Sequence, residues 1–129
     1  MSEYLKQARL RAMIKPYESE TVLFEEGEES RDLYILVGGR LKISKDKVTI
    51  GFIDQAGSYV GEMSALLGMP RTATVTTASQ CELIRVGPEQ TDKFFHTSPE
   101  LTLKLAKILA ERLRDTTDRL LEAQQEKKM

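Results

Sequence analysis

The chain has 129 residues, 40% of them hydrophobic, with 19 basic and 20 acidic side chains and a formal net charge of −1. That length supports one core rather than two, and the even charge argues against nucleic-acid binding through bulk basicity. A single cysteine, Cys81, and a single histidine, His96, exclude an internal disulfide and a histidine-clustered zinc or jelly-roll metal centre, so no metal is expected.

With no secretion signal at the N-terminus, a cytoplasmic setting is expected. The longest uncharged run, Val48 to Gly61, is interrupted by Asp54, so no membrane segment is expected.

In chain order, Ser2 to Arg11 reads as a short helix with Tyr4, Leu5 and Ala8 on one face, stopped by Pro16. From Glu20 the pattern becomes that of short strands. "TVLFEEG" is β-branched and aromatic and ends in a turn at Gly27. "DLYILVGGRLKI" reads as two strands about Gly38-Gly39, a pair able to supply the positive φ of a tight hairpin. "KVTIGFIDQAG" places Val48, Ile50 and Phe52 on one side with period two, and "TATVTT" and "CELIRV" continue in the same style. The acidic run "EEGEES" reads as a solvated turn, and Cys81 as a small core residue. Turns every six to ten residues from Glu20 to Gly87 suggest an antiparallel barrel or sandwich.

The period then changes. Gly87-Pro88-Glu89 opens a short helix through Phe95, in which His96 beside Phe94 and Phe95 reads as structural. Ser98-Pro99-Glu100 supplies an N-cap, a first-turn proline and an acid for a second helix of about 25 residues, roughly 37 Å long. Leu103, Ala106, Ala110, Leu113, Thr117 and Leu120 form a narrow seam along it. Leu101, Leu105, Ile108, Leu109 and Arg112 form a second stripe. Two stripes suggest packing on the same domain and on another chain, a homodimer through this helix. A single domain is expected: an N-terminal helical segment and first strand over 1–19, a β-barrel over 20–87, and C-terminal helices over 88–129.

Residues 57–75, "GSYVGEMSALLGMPRTATV", carry the chemistry. A short helix over "EMSALLG" leaves its first N–H groups and the positive end of its dipole for an anion. Gly61 permits close approach to the backbone. Arg71, aimed by Pro70, has the fork shape suited to phosphate, and Thr72 adds a hydroxyl. Glu62, nine residues before Arg71, is an acceptor that would repel a phosphate, so its natural partner is a donor such as a sugar hydroxyl. Together these point to a nucleotide with a compact phosphate.

The stretch "GEMSALLGMPRTATV" resembles the phosphate-binding cassette of cyclic nucleotide-binding domains. The resemblance extends through "VLFEEGEESRDLYILVGGRLKI", and through "LAKILAERLRDTTDRLL", which is similar to the central helix of the catabolite-activator branch. It implies a mainly β jelly-roll barrel with a short N-terminal helix, a cassette helix and a long C-terminal helix, and no enzymatic activity. It implies that Glu62 accepts from the ribose 2′-hydroxyl and that Arg71 pairs with the cyclic phosphate. Val60, Gly61, Met63, Ser64, Thr72 and Ala73 would complete the cradle. Thr116 and Thr117 stand where that branch reads the adenine amino group, one in its own pocket and one in the neighbour's.

The departures are Val60 where an aromatic is frequent, Ala65 where a larger apolar residue is frequent, and Ser58 in place of an acid. No winged-helix DNA-binding segment follows Leu121, so no direct DNA contact is expected. The regulatory ligand implied is cyclic AMP. Thr72 also permits cyclic GMP, and a fold that kept its shape as a ligand-free dimerising or docking module is the other alternative.

Overall fold

The computed structural model describes residues 3–127. Ser2, the last two residues of the expected frayed end, and the side chains of Tyr4 and Leu5 lie outside the described residues. Internal packing divides the chain into two compact units, one ending at Phe94 and the other beginning at Phe95.

The first unit opens with α1 (Glu3–Met13), which passes directly into β1 (Ile14–Tyr17). Pro16 therefore lies inside a strand rather than stopping a helix. Lacking an N–H, it is tolerated because β1 is an edge strand, paired only with β8. The remaining strands are β2 (Val22–Phe24), β3 (Leu33–Gly38), β4 (Leu41–Lys45), β5 (Val48–Ile53), β6 (Tyr59–Val60), β7 (Thr74–Thr77) and β8 (Cys81–Val86). They form two four-stranded sheets, β1-β8-β3-β6 and β2-β7-β4-β5, with every pairing antiparallel. This is the expected jelly roll, although the described strands pair as two open sheets rather than as one closed ring.

Both sheets supply the core. Tyr34 and Leu36 of β3, Val60 of β6 and Cys81 and Leu83 of β8 meet Phe24 of β2, Leu41 of β4 and Val75 of β7. Cys81 is thus the core residue its position suggested, with its thiol donating to the Arg40 carbonyl oxygen at 3.4 Å.

Two sequence expectations change here. The Gly38-Gly39 turn does not close a hairpin, because β3 pairs with β6 and β8 whereas β4 pairs with β5 and β7. It is a corner where the chain leaves one sheet for the other. Gly39 has φ +101, and a Cβ there would lie 2.6 Å from the Gln80 carbonyl oxygen, so the corner needs glycine for close approach as well as for backbone angle. The actual tight hairpin joins β4 to β5 through Asp46 and Lys47, both at positive φ, with Glu26 Oε1 accepting the Asp46 N–H at 3.0 Å.

Second, Val48, Ile50 and Phe52 are all exposed and do not share one side: the β4–β5 register shifts between Ile43 and Ser44, so that Phe52 lies opposite Lys42 and Val48 opposite Lys45, on opposite faces. They lie on β5, an edge strand, and Ile53 is the β5 residue that packs on the core. The guanidinium of Arg40 covers the Phe52 ring at 3.9 Å.

The helix α3 (Thr91–Thr97) starts later than expected, after a turn in which the Gln90 N–H donates to the Gly87 carbonyl. Its Phe94 is buried, and His96 is exposed in its last turn, where a histidine suits the negative helix end.

The second unit is dominated by α4 (Pro99–Lys127), 29 residues. Its start is where the Ser-Pro-Glu signal placed it, and the Thr102 N–H donates to the Ser98 carbonyl. Exposure follows the two stripes as far as Leu109, whereas Arg112, read as the end of the second stripe, is exposed. Leu105 is buried and Leu101, Ile108 and Leu109 are half-buried, whereas Leu103, Ala106, Ala110, Leu113, Thr117 and Leu120 are all exposed.

Tyr59, fully buried in β6, has its hydroxyl pKa pushed up to about 12 by burial. An unfolded tyrosine ionises near pH 10, so the unfolded state gains charge first and stability is lost as pH rises from about 10 to 12, by roughly 2–3 kcal/mol from this group. Urea unfolding across that range is expected to show a shallower decline for Tyr59→Phe than for the parent; parallel declines would show that Tyr59 does not carry the effect.

Candidate functional site

The cassette begins where β6 ends. Val60, buried and paired with Tyr34 of β3, leads to Gly61 at φ +84. That left-handed residue starts α2 (Glu62–Leu67), and Gly68 at φ +72 ends it, its N–H donating to the Ser64 carbonyl at 2.9 Å. Pro70 follows and Arg71 leads into β7. The short helix read from "EMSALLG" is therefore present, six residues long.

Arg71 is the centre of the arrangement. It is only 3% exposed. Its Nε donates to Ser30 Oγ at 3.0 Å, Nη1 to the Gly61 carbonyl at 3.2 Å, and Nη2 to the Asp32 carbonyl at 2.8 Å. The guanidinium lies over the Phe24 ring at 3.9 Å. Burial lowers its pKa, and the charges of Asp32, Glu28, Tyr34 and Glu62 act in the opposite direction, in that order. A guanidinium has five N–H donors, so these three bonds leave two that the frame does not account for.

Glu62 is also buried, at 7% exposure, one residue after the glycine whose carbonyl Arg71 holds. None of the three acceptors of Arg71 is the Glu62 carboxylate. The two opposite charges are adjacent in the fold's plan, but the cation is held by other groups.

Ser64 is buried, and its carbonyl accepts from Arg31 Nε at 3.4 Å. The Arg31 guanidinium occupies the space beside Gly68, where a Cβ would lie 3.1 Å from Nη2. Met63 and Thr72 are exposed and Ala73 is half-buried. The structure thus brings Val60, Gly61, Glu62, Ser64 and Arg71 together within the first unit. Thr116 and Thr117 are exposed on α4 in the second unit.

The segment that sequence reading missed is the "EEGEES" turn and its continuation. Glu25 to Glu29 are exposed, as expected of a solvated turn, but the turn also frames Arg71. The Gly27 N–H donates to the Arg71 carbonyl and the Arg71 N–H to the Glu28 carbonyl, both at 2.8 Å. Ser30 Oγ donates to Glu28 Oε2 while accepting from Arg71. The Asp32 carboxylate pairs with Arg85 Nε at 2.7 Å while its carbonyl accepts from Arg71. No local signal marks this role, because Ser30 and Arg71 are 41 residues apart. The serine and aspartate amid glutamates were the only hint. Among the described residues, no group of three His, Cys, Asp or Glu side chains could hold a metal ion, and no helix is long and apolar enough to cross a membrane.

Comparison with known proteins bears on what this geometry serves. The sequence model of the cyclic nucleotide-binding domain matches residues 14–98. A lysophospholipase, nte1, of Neurospora crassa is 32% identical over 101 residues, which are 75% of this chain and 7% of that protein. A CRP-like cAMP-activated global transcriptional regulator of Mycobacterium tuberculosis is 28% identical over 102 residues, 76% of this chain and 46% of that protein. The chain therefore spans a small part of the first relative and less than half of the second. Among solved structures, the catabolite activator protein of Thermus thermophilus has a TM-score of 0.75 at 22% identity, over 93% of this chain and 59% of that one. A cyclic nucleotide-binding domain from Methylobacillus flagellatus has a TM-score of 0.71 at 24% identity, over 93% and 73%. At these identities the structural likeness is one of fold.

A Cβ on Gly61 would lie 2.6 Å from Arg71 Nη1 and 2.9 Å from the Asp32 carbonyl oxygen. Gly27 has nearly the same angle, φ +85, with nothing within 4 Å of its Cβ position. Gly27→Ala is expected to cost about 1–2 kcal/mol of backbone strain, and Gly61→Ala about 3 kcal/mol or more. Chemical denaturation of both variants checks this, and equal losses would show that contact with Arg71 does not constrain Gly61.

Proposed function

The chain belongs to the cyclic nucleotide-binding domain family, and from that premise we propose that it binds a cyclic nucleotide, cyclic AMP in the first instance, as a ligand-sensing regulatory module. The observation that carries the proposal is Arg71, a buried guanidinium held in a fixed frame with two N–H donors beyond those the frame uses. Burying a charge is costly unless its partners are good, and a ligand phosphate is the partner that the fork of arginine fits best.

In this reading Arg71 grips the cyclic phosphate, and Glu62 accepts from the ribose 2′-hydroxyl. The backbone from Val60 through Met63 and Ser64, with Thr72 and Ala73, lines the rest. Thr116 and Thr117 read the adenine amino group, as the family resemblance implies. The mycobacterial relative, described as cAMP-activated, supports cyclic AMP. The exposed Thr72 beside Arg71 favours cyclic GMP as the second reading, and parallel titrations of the two nucleotides distinguish them.

The ligand acts by binding one arrangement of α4 better than another, so that occupancy becomes helix position. The exposed seam Leu103, Ala106, Ala110, Leu113 and Leu120 supports a homodimer through α4. The near-zero net charge supports a role without direct DNA contact, and the buried lone thiol of Cys81 suits a cytoplasmic setting. The chain senses and does not catalyse.

Calorimetry with cyclic AMP is expected to show Arg71→Ala weakened by several hundredfold, equivalent to roughly 3–5 kcal/mol for an unpaired buried charge. Glu62→Gln, which keeps the side chain's shape, is expected to lose more affinity for cyclic AMP than for its 2′-deoxy analogue. Parent-like binding by a folded Arg71→Ala protein would refute the proposal. For the helix, sedimentation of Leu113→Glu is expected to show a shift from dimer to monomer, and an unchanged state would remove the seam.

A further inference from the structure

We infer that Ser30 and Glu28 form a positioning relay for Arg71, fixing the orientation of its guanidinium so that the donors left over by the fold face the ligand. This rests on the reading of Arg71 as the phosphate-binding residue and adds the groups that set its geometry.

Three bonds define the plane of the guanidinium. Two end on backbone carbonyls, Gly61 and Asp32, whose positions follow from α2 and β3. The third, from Nε, ends on Ser30 Oγ, the one side-chain acceptor of the three. A hydroxyl has a single proton and rotates freely, and arginine has no acceptor. Ser30 can therefore serve Nε only with its own proton directed elsewhere. Glu28 Oε2 takes that proton.

The chain of bonds runs one way, from Arg71 Nε–H to the Ser30 oxygen and from the Ser30 O–H to the Glu28 carboxylate. Each bond polarises the next, and the whole is an ion pair bridged by a hydroxyl. Glu28 is well placed for this. Its carbonyl accepts the Arg71 N–H while the neighbouring Gly27 N–H donates to the Arg71 carbonyl, so the relay and the residue it orients share a backbone anchor. The charge of Glu28 also favours the Arg71 cation more than that of Glu62 does. Glu25, Glu26, Glu28 and Glu29 are all exposed, and what sets Glu28 apart is its bond from Ser30, while Glu26 holds the β4–β5 hairpin.

The relay distinguishes positioning from mere support of the fold, and a double-mutant cycle tests it. Ser30→Ala is expected to weaken cyclic AMP binding about tenfold in the parent, and by less than about twofold in an Arg71→Lys background, which has no Nε–H to orient. Ser30→Thr, which restores the hydroxyl, is expected to return affinity to within about threefold of the parent. A loss of the same factor in both backgrounds would mean that Ser30 acts on the fold alone and would overturn the relay.

A second measurement needs no ligand. In NMR of the ligand-free protein, the Arg71 Nε–H is expected to exchange slowly with solvent in the parent and in Ser30→Thr. In Ser30→Ala and Glu28→Gln it is expected to exchange faster, by about tenfold for the alanine variant. Unchanged exchange in Ser30→Ala overturns the relay. If a folded Arg71→Ala protein binds cyclic AMP like the parent, the phosphate reading of Arg71 fails, and the exchange data still decide whether Ser30 and Glu28 orient it.

Discussion

A guanidinium only 3% exposed to solvent organises the first unit. A buried cation must find acceptors for its donors, and it finds them in two places along the chain: Ser30 and Asp32 in the turn leading to β3, and Gly61, the residue before α2. Each of these three acceptors is a backbone carbonyl or a hydroxyl, and the Glu28 carboxylate is reached only through Ser30. That arrangement matters chemically. An arginine locked bidentately to Glu62 would have neither residue available in the geometry a nucleotide requires.

The same interaction explains several residue choices around it. Gly61 has no Cβ because Arg71 Nη1 occupies that space, and its positive φ is what turns β6 into α2. Gly68 performs the matching task at the other end of α2, where Arg31 closes over the helix terminus. Phe24 lies beneath Arg71 and also belongs to the core shared by both sheets. Arg71 thus touches the core through the Phe24 ring, while Val60 and Val75 at the two ends of the cassette are themselves core residues.

The second unit follows a different logic. The long helix α4 is ordered by local signals, a Ser-Pro-Glu start and an unbroken run of helix-compatible residues. Its apolar residues separate into a stripe that is buried or half-buried and a stripe that is exposed. An exposed line of leucines and alanines at coiled-coil spacing has no use on an isolated helix, and the proposed dimer gives it one.

Local rules account for most of what the sequence by itself determined. The start of α4 at Ser98-Pro99, the short α2 between two glycines, the strands β2 to β5, β7 and β8, and the pairing of Gly-Glu with Pro-Arg all depend on residues within a few positions of one another, as does the family they resemble. Tertiary structure alone decided the rest, because it depended on contacts between distant segments. Gly38-Gly39 could serve a hairpin or a corner between sheets, and only the partners of β3 and β4 separate the two. Period two would place Val48, Ile50 and Phe52 on one side of a regular strand, but the register shift in the β4–β5 pair puts Val48 and Phe52 on opposite faces, and all three are exposed. The acidic turn at 25–30 has the composition of a solvated loop, and it became the frame of Arg71 because the fold brings it to a buried cation 41 residues away from Ser30. Hydrogen-bond partners of a buried charge are chosen by proximity in space, and proximity in space is what a linear pattern does not encode.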